Sequence, residues 1–342
     1  MSSPRILVTG GTGYIGSHTV VELISAGYEV LILDNLSNSR EEVLSSLENI
    51  TEKKIPFFNI DLCDKNATEE FVKKIHPDAV IHFAAFKSVN ESVLEPMKYY
   101  RNNLLSLINL TEACISHSVW PMVFSSSCSV YGEPDSLPVN ENSVLKKAES
   151  PYGYTKQICE KILEDLCRAT QLKTICLRYF NPVGAHNSAL IGEYPLLPPN
   201  NLVPVITQTA IGLRKEMEVY GSDYDTPDGS TIRDYIHVVD IARAHVSALG
   251  RLLGNKTKSS FEIFNLGTGK GNSVLEVIRA FEKVSGQKLN YRLSPRRSGD
   301  VVKIYADCGL ANKELDWKAE LDLEAMVLSA WNWEKNLSKV KI

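Results

Sequence analysis

The segment TGGTGYIG, residues 9–16, lies between a short apolar run at residues 5–8 and a predicted helix at residues 15–26. It matches Gly-x-Gly-x-x-Gly from Gly11 and Gly-x-x-Gly-x-x-Gly from Gly10. Glycine is needed where the backbone turns tightly and approaches a pyrophosphate, and the free N–H groups of a helix N-terminus attract that anion. A glycine turn alone is a weak signal, but this one stands between a strand and a helix. The segment therefore predicts the phosphate-binding turn of a dinucleotide site.

Strands and helices alternate through the first half of the chain. Further strands are predicted at residues 30–33, 57–60, 79–83 and 122–124, and the helices between them include a long one at residues 97–117. Strands that alternate with helices and are apolar on both faces indicate a parallel sheet covered on both sides. We predict an α/β fold with a Rossmann-type, doubly wound parallel sheet.

The second half of the chain has a different character. Three prolines and two glycines in residues 184–201 predict a long loop, and loops of that length are usually functional. Short elements follow, including a predicted strand at residues 261–266. We predict a dinucleotide-binding domain at residues 1–181 and a smaller C-terminal α/β substrate lobe at residues 182–342. The lobe need not be contiguous, since residues 233–250 could pack back on the large sheet.

The composition limits the classes of partner. The 342 residues are 44% hydrophobic and carry a formal net charge of −4, without the basic surplus of nucleic-acid-binding proteins. No apolar run reaches the roughly 20 residues that a membrane-spanning helix needs. The seven cysteines form no CxxC pair, and no His/Cys cluster has metal-ligand spacing. With no room for a leader before the first strand, we expect a cytoplasmic protein without metal, nucleic acid or membrane partners.

Acidic residues at two predicted strand ends are candidate cofactor contacts. Asp34 stands 21 residues after Gly13, where a carboxylate accepts a hydrogen bond from an adenosine ribose and repels a 2′-phosphate. This position favours NAD over NADP, although Arg40 lies close enough to weaken the preference. Asp61 follows the third strand and is either an adenine contact or a simple turn carboxylate.

A tyrosine and a lysine form a candidate catalytic pair. Tyr152 and Lys156 are four residues apart, so they share one face of the helix that follows Pro151. A phenol has a pKa near 10, and a decrease of about 3 corresponds to about 4 kcal/mol. The Lys156 ammonium and an oxidised nicotinamide could together supply that stabilisation. Tyr154 points away from Lys156 and is interpreted as structural.

Four features follow one another along the chain: the glycine turn, Asp34, the serines at residues 125–127 after the fifth predicted strand, and the Tyr152-x-x-x-Lys156 pair. Longer motifs accompany them. They are TGGTGYIGSHTV from Thr9, IHFAA from Ile81, FSSSCSVYG from Phe124, SPYGYTK from Ser150, RYFNPVGAH from Arg178, NNL from Asn200, RDYIHVVD from Arg233 and RRSGD from Arg296. Through them, nearly the whole chain resembles the UDP-galactose (UDP-glucose) 4-epimerases of the extended short-chain dehydrogenase/reductase family.

The resemblance implies a specific chemistry. Tyr152 would take the proton of the sugar 4-OH while the C4 hydride passes to a tightly bound NAD+. The resulting 4-keto sugar would rotate, and the hydride would return to its other face. UDP-galactose and UDP-glucose are thereby interconverted, as in galactose metabolism. Ser127 would hydrogen-bond the 4-oxygen, and Lys156 would hold the nicotinamide ribose.

The resemblance also implies two sets of binding residues. The cofactor set comprises Gly10, Gly13, Tyr14, Ile15, Gly16, Asp34, Asn35, Asp61, Leu62, Phe83, Ala84, Lys87, Asn103, Tyr152, Lys156, Tyr179 and Phe180. The substrate set comprises Ser127, Asn181, Asn201, Leu202, Tyr220, Arg233, Arg297, Asp300 and Ile304. Core packing at a strand end is a serious alternative for Tyr179 and Phe180. A homodimer through helices at residues 97–117 and 151–170 is implied by the resemblance alone.

Single residue positions indicate whether a related protein activity is compatible with this sequence. Ile304 occupies the position that governs acceptance of N-acetylated sugars in the family, and isoleucine is intermediate in size, so a 4-epimerase of UDP-GlcNAc or UDP-GalNAc stays open. A 4,6-dehydratase needs an Asp-Glu pair where Cys128 and Ser129 stand. A non-catalytic NAD-sensing regulator would not need both Tyr152 and Lys156.

Overall fold

The computed structural model describes residues 3–196, 198–297 and 301–340. The strands are β1 Arg5–Thr9, β2 Glu29–Asp34, β3 Phe57–Asn59, β4 Ala79–His82, β5 Pro121–Ser125, β6 Lys173–Tyr179, β7 Asn181–Val183, β8 Met217–Tyr220, β9 Ile232–His237, β10 Phe261–Leu266, β11 Gly271–Ser273, β12 Tyr291–Ser294 and β13 Lys303–Ile304. The α-helices are α1 Tyr14–Ser25, α2 Glu42–Thr51, α3 Lys65–Ile75, α4 Val89–Leu94, α5 Pro96–Ser116, α6 Pro151–Ala169, α7 Leu202–Ala210, α8 Val238–Leu253, α9 Val274–Ser285, α10 Gly309–Glu314 and α11 Leu323–Val340. A 3₁₀ helix spans Cys128–Tyr131.

A seven-stranded parallel sheet dominates the fold, in the order β10-β6-β5-β4-β1-β2-β3. Ile6, Leu7 and Val8 of β1 are fully buried, because helices cover the sheet on both sides. Helices α1 and α8 pack on one face, and α5 and α6 pack on the other. The prediction of a doubly wound Rossmann-type sheet is confirmed. The strand order reverses between β1 and β4, and such a reversal opens a ligand-binding crevice at the carboxyl ends of the strands.

A smaller α/β lobe adjoins those carboxyl ends. Its central strand, β9, pairs with β7, β11 and β13, and β8 pairs with β12. Helices α7, α9 and α11 enclose an apolar core that contains Ile206, Phe281 and Trp331. The lobe therefore has its own core while it stays joined to the large sheet.

One strand lies in a different sheet from the one expected. The strand at residues 261–266 is not part of the C-terminal lobe, since β10 is the edge strand of the large sheet and pairs with β6. The crossover through α8, which packs on α1 as anticipated for residues 233–250, returns the chain beside β6 in parallel orientation. A short apolar strand fits either sheet, so its sequence alone does not choose between them. We propose that α8, β10 and α10 belong to the dinucleotide-binding domain.

Two further features concern the part of the chain that the structure describes. None of its helices is both long enough and apolar enough to cross a bilayer. The same residues contain no cluster of three or more histidine, cysteine or acidic side chains that could hold a metal ion.

Candidate active site

The glycine turn places backbone against backbone at the reversal point of the sheet. Gly10 has a φ of 72°, and a Cβ on it would lie 2.7 Å from the backbone nitrogen of Ala84. A Cβ on Gly16 would lie 2.2 Å from the Gly10 carbonyl oxygen. Gly13 precedes α1 without a side-chain cap, which leaves N–H groups at the helix start available to an anion. The turn therefore fits a pyrophosphate and has no space for side chains.

A continuous cavity of about 1370 Å³ begins at this turn and extends to the C-terminal lobe. Most of the predicted residues line it. Those of the cofactor set are Gly10, Gly13, Tyr14, Ile15, Gly16, Asp34, Asn35, Asp61, Leu62, Phe83, Ala84, Lys87, Tyr152, Lys156 and Tyr179. Those of the substrate set are Asn181, Asn201, Leu202, Tyr220, Arg233 and Arg297.

The Asp34 carboxylate is held in place beside the glycine turn, where the cavity begins. It accepts hydrogen bonds from Thr12 N at 3.3 Å, Leu36 N at 3.0 Å and Ser39 Oγ at 3.2 Å. The side chain is buried yet lines the cavity, so its oxygens are fixed where a hydroxyl group could reach them. Asp61 also lines the cavity, and its Oδ1 accepts from Cys63 N at 2.8 Å, as a turn carboxylate does.

Helix α6 brings the tyrosine and the lysine together. Lys156 Nζ lies 5.9 Å from the centre of the Tyr152 ring and donates to the Ser125 carbonyl oxygen at 2.6 Å. The Ser127 hydroxyl lies near that of Tyr152 and lowers the pKa of the phenol. Tyr154, by contrast, is 48% exposed and packs edge-on against Tyr100, as expected for a residue outside the site.

On balance, the protein's own groups do not lower the pKa of the Tyr152 phenol. Burial raises the pKa of Tyr152 above its usual value, the nearby Tyr179 raises that pKa further, and the Ser127 hydroxyl opposes the change. Burial also lowers the pKa of Lys156. Both groups lose their water, and the Lys156 ammonium is already bound to a carbonyl. The expected fall in the phenol pKa therefore requires a further positive charge in the cavity.

Four predicted site residues lie behind the cavity wall. Asn103 accepts from Phe86 N at 2.9 Å and donates to Phe86 O at 3.1 Å and to Thr155 Oγ1 at 3.2 Å. It clamps the loop after β4 to α6. Phe180 and Ile304 share a buried apolar cluster, which favours the packing interpretation for Phe180. Ser127 is buried beside Tyr152.

The C-terminal lobe contributes cationic and aromatic groups to the cavity. The Arg297 guanidinium stacks 4.2 Å from the centre of the Tyr220 ring. Arg233 starts from β9, where the next residue, Asp234, accepts hydrogen bonds from the backbone nitrogens of Thr268, Gly269 and Ala306. This buried carboxylate holds the strand that carries Arg233. Asp300 lies outside the described residues.

Several cavity residues were missed by sequence reasoning. Glu193, in the long loop, accepts from Lys87 Nζ at 2.9 Å and from Asn201 Nδ2 at 2.8 Å, so it connects the two sides of the cavity. Ser125, Tyr99 and Arg292 also line the cavity. No motif marks Glu193 or Arg292, although the length of the loop at residues 184–201 signals a functional segment.

The parallel sheet, the glycine turn and the Ser127–Tyr152–Lys156 group together define an extended short-chain dehydrogenase/reductase. The matching family model is described as GDP-mannose 4,6 dehydratase and covers residues 7–329. A UDP-glucose 4-epimerase from Drosophila melanogaster is 48% identical over 341 residues, which cover 98% of this chain and 97% of that protein.

Solved structures give the same result. A UDP-glucose 4-epimerase from Stenotrophomonas maltophila, with bound NAD and formylated UDP-arabinopyranose, has a TM-score of 0.95 at 45% identity and covers 98% of this chain and 99% of its own. The UDP-glucose 4-epimerase from Bifidobacterium longum, in complex with NAD+ and UDP, has a TM-score of 0.93 at 45% identity and covers 97% of this chain and 98% of its own. The chain belongs to the UDP-glucose 4-epimerase family.

Proposed function

We propose that the protein is an NAD-dependent epimerase that interconverts UDP-galactose and UDP-glucose. The observation that carries this proposal is the continuous cavity that joins the glycine turn to Arg233 and Arg297 and has Tyr152 and Lys156 on its wall. A dinucleotide at one end and a nucleotide-sugar at the other would meet beside the phenol.

The residues around the glycine turn fit NAD. The free N–H groups at the start of α1 would hold its pyrophosphate, and Asp34 would accept from its adenosine ribose. NAD+ supplies the hydride acceptor and a positive ring, which is the further charge that the Tyr152 phenol needs. Lys87 would contribute to the cofactor contacts after exchanging its bond with Glu193.

Tyr152 would act as the base for the sugar 4-OH, and the neighbouring Ser127 hydroxyl would relay the proton from the sugar oxygen to the Tyr152 phenolate. Lys156 would stabilise the phenolate and hold the nicotinamide ribose. Arg233 and Arg297 would bind the pyrophosphate of UDP, because the planar guanidinium offers two parallel donors to phosphate oxygens. Asn181, Asn201 and Leu202 would complete the UDP contacts.

The matching family is described as GDP-mannose 4,6 dehydratase, but this site lacks the acid and the base that a dehydratase needs. Cys128 and Ser129 occupy the two positions, and burial raises the pKa of the Cys128 thiol to about 12. That thiol stays protonated and uncharged at neutral pH, so it is no general base for elimination.

The proposed assembly is a homodimer in the cytoplasm. Helices α5 and α6 expose the apolar side chains of Met97, Leu105 and Tyr154 in the regions expected at the interface, each at least 40% exposed, and Leu94 of the adjoining helix α4 is exposed as well. Burying such side chains against a second copy would remove apolar surface from water. The seven cysteines are free thiols, as a reducing compartment requires.

The purified protein should convert UDP-galactose to UDP-glucose without added cofactor. The reason is that the hydride returns to the sugar in every cycle, so bound NAD is not consumed. The measurement is product formation by chromatography, together with the NAD content of the acid-denatured protein. An active preparation without bound nicotinamide, or one that releases stoichiometric NADH, would contradict the proposal.

Replacing Tyr152 by phenylalanine should lower kcat by about 10²–10⁴-fold, the usual contribution of general acid–base catalysis. The fold and the bound NAD should be retained, because the ring still fills its buried position. Tyr154→Phe is the matched control and should retain most of the activity, since Tyr154 is half exposed. Equal losses in the two variants would show that the base is misassigned.

Asp34→Ala should weaken NAD binding by about 10–100-fold, the equivalent of a lost charge-assisted hydrogen bond of about 1.5–3 kcal/mol. The same change removes the charge that repels a 2′-phosphate, so the preference for NAD over NADP should fall. Titration of cofactor-depleted protein with both dinucleotides measures this. Asp61→Ala is the control, because an adenine contact would affect both cofactors alike. An unchanged preference in Asp34→Ala would mean that the ribose is recognised elsewhere.

Ile304 should set the size limit for the substituent on the sugar. Ile304 packs with Phe180 behind the cavity wall, so its volume would act on the sugar pocket through that wall. Ile304→Tyr should then abolish turnover of UDP-N-acetylgalactosamine, and Ile304→Gly should favour it relative to UDP-galactose. The measurement is the ratio of kcat/KM for the two substrates, with thermal unfolding as the check on folding. A ratio that stays the same for glycine, isoleucine and tyrosine would exclude a role for position 304.

A further inference from the structure

One charged residue at the site has no role in the chemistry described above. Tyr152, Lys156 and Glu160 follow one another at intervals of four along α6, so they lie on one face of the helix. Glu160 is buried and does not line the cavity. A buried carboxylate requires partners, and its partners show what it does.

Both oxygens of Glu160 are bound by side chains from neighbouring strands. Ser126 Oγ donates to Oε1 at 2.6 Å, Arg178 Nε donates to the same oxygen at 2.9 Å, and Arg178 Nη2 donates to Oε2 at 2.6 Å. Ser126 directly follows β5, and Arg178 lies in β6. The carboxylate therefore connects α6 to the ends of two adjacent strands.

The same ion pair also holds the other end of the serine segment. Arg178 Nη1 donates to the Tyr131 hydroxyl at 3.1 Å, and that hydroxyl donates to Asn265 Oδ1 at 2.6 Å. Ser127 is the N-cap of the 3₁₀ helix that ends at Tyr131. Ser126 and Tyr131 thus stand at the two ends of the segment that carries Ser127. Glu160 binds Ser126 directly and Tyr131 through Arg178.

We propose that Glu160 is a positioning residue, which fixes the Ser127 hydroxyl against Tyr152 through Ser126 and Arg178. The inference rests on the proposed function. One face of α6 then positions both hydroxyl groups of the proton transfer. It carries Tyr152 itself and, two turns further on, Glu160, which holds Ser127 in place. A buried ion pair is weak support for stability, since apolar residues can replace it without loss. The geometry that it imposes on Ser127 cannot be replaced in that way.

The test uses two variants of different severity and one matched control. Ser126→Ala removes only the tether and leaves the Glu160–Arg178 pair intact, whereas Glu160→Gln removes the charge. Glu262→Gln is the control, because Glu262, near the amino end of β10, accepts two hydrogen bonds from the buried Arg251, at 2.7 and 3.0 Å, and does not line the cavity. For each protein, kcat and KM for UDP-galactose, bound NAD and the melting temperature are measured.

Ser126→Ala and Glu160→Gln should lower kcat by about 10-fold or more, since a displacement of about 1 Å can cost 10²-fold in rate. KM and bound NAD should stay near the wild-type values, because neither residue lines the substrate or cofactor wall. Glu262→Gln should lower the melting temperature comparably to Glu160→Gln and keep its kcat.

Two results in the variants would overturn the proposal while the proposed function stands. An unchanged kcat in Ser126→Ala would show that the tether does not position Ser127. A purely structural role would give a different pattern. In all three variants, kcat would then fall, KM would rise and NAD would be lost, each in proportion to the fall in melting temperature. A wild-type protein that converts no UDP-galactose would overturn the proposed function instead, and the inference with it.

Discussion

The contact between the Gly10 turn and the backbone of Phe83 and Ala84 is the constraint on which the site depends. It occurs between β1 and β4, where the order of the parallel strands reverses, and a Cβ at Gly10 would lie 2.7 Å from Ala84 N. Any side chain there would push the two strand ends apart. With glycine in place, the start of α1, the Asp34 carboxylate and the loop after β4 converge on one crevice. The C-terminal lobe covers this crevice, and the two together form the cavity.

Within that cavity the chemistry depends on the removal of water. Burial raises the pKa of Tyr152 and lowers that of Lys156, so it opposes charge on both groups. A dry site strengthens every remaining electrostatic interaction, which makes a single added positive charge more effective than it would be in water. The ionic groups of α6 and β6 behind the wall are paired with each other, in the bond between Glu160 and Arg178. The site is therefore rigid where it holds its reacting groups.

Sequence patterns predicted the parts of this structure that depend on local spacing. The glycine turn, the shared face of Tyr152 and Lys156 and the alternating elements of the first half follow from the periods of helices and strands. The patterns did not predict which sheet takes the strand at residues 261–266, because a short apolar strand suits both. They also missed Glu193, whose role arises from contacts between distant segments. Phe180 was placed in the cofactor set although it packs in a core cluster, since a strand end offers both environments.

The path of the chain between the two lobes has a mechanical consequence. Within the described residues it passes between the large sheet and the C-terminal lobe five times: after β6, after β9, after β10, after β13 and after α10. A rigid rotation of one lobe about a hinge would have to bend all five connections together. Local opening of the segment around Glu193 would break its side-chain bonds with Lys87 and Asn201 and the contacts of Glu193 and Tyr194 with Trp333, but it would bend none of the five connections. Ligands are therefore expected to enter by movement of that segment while the lobes stay in place.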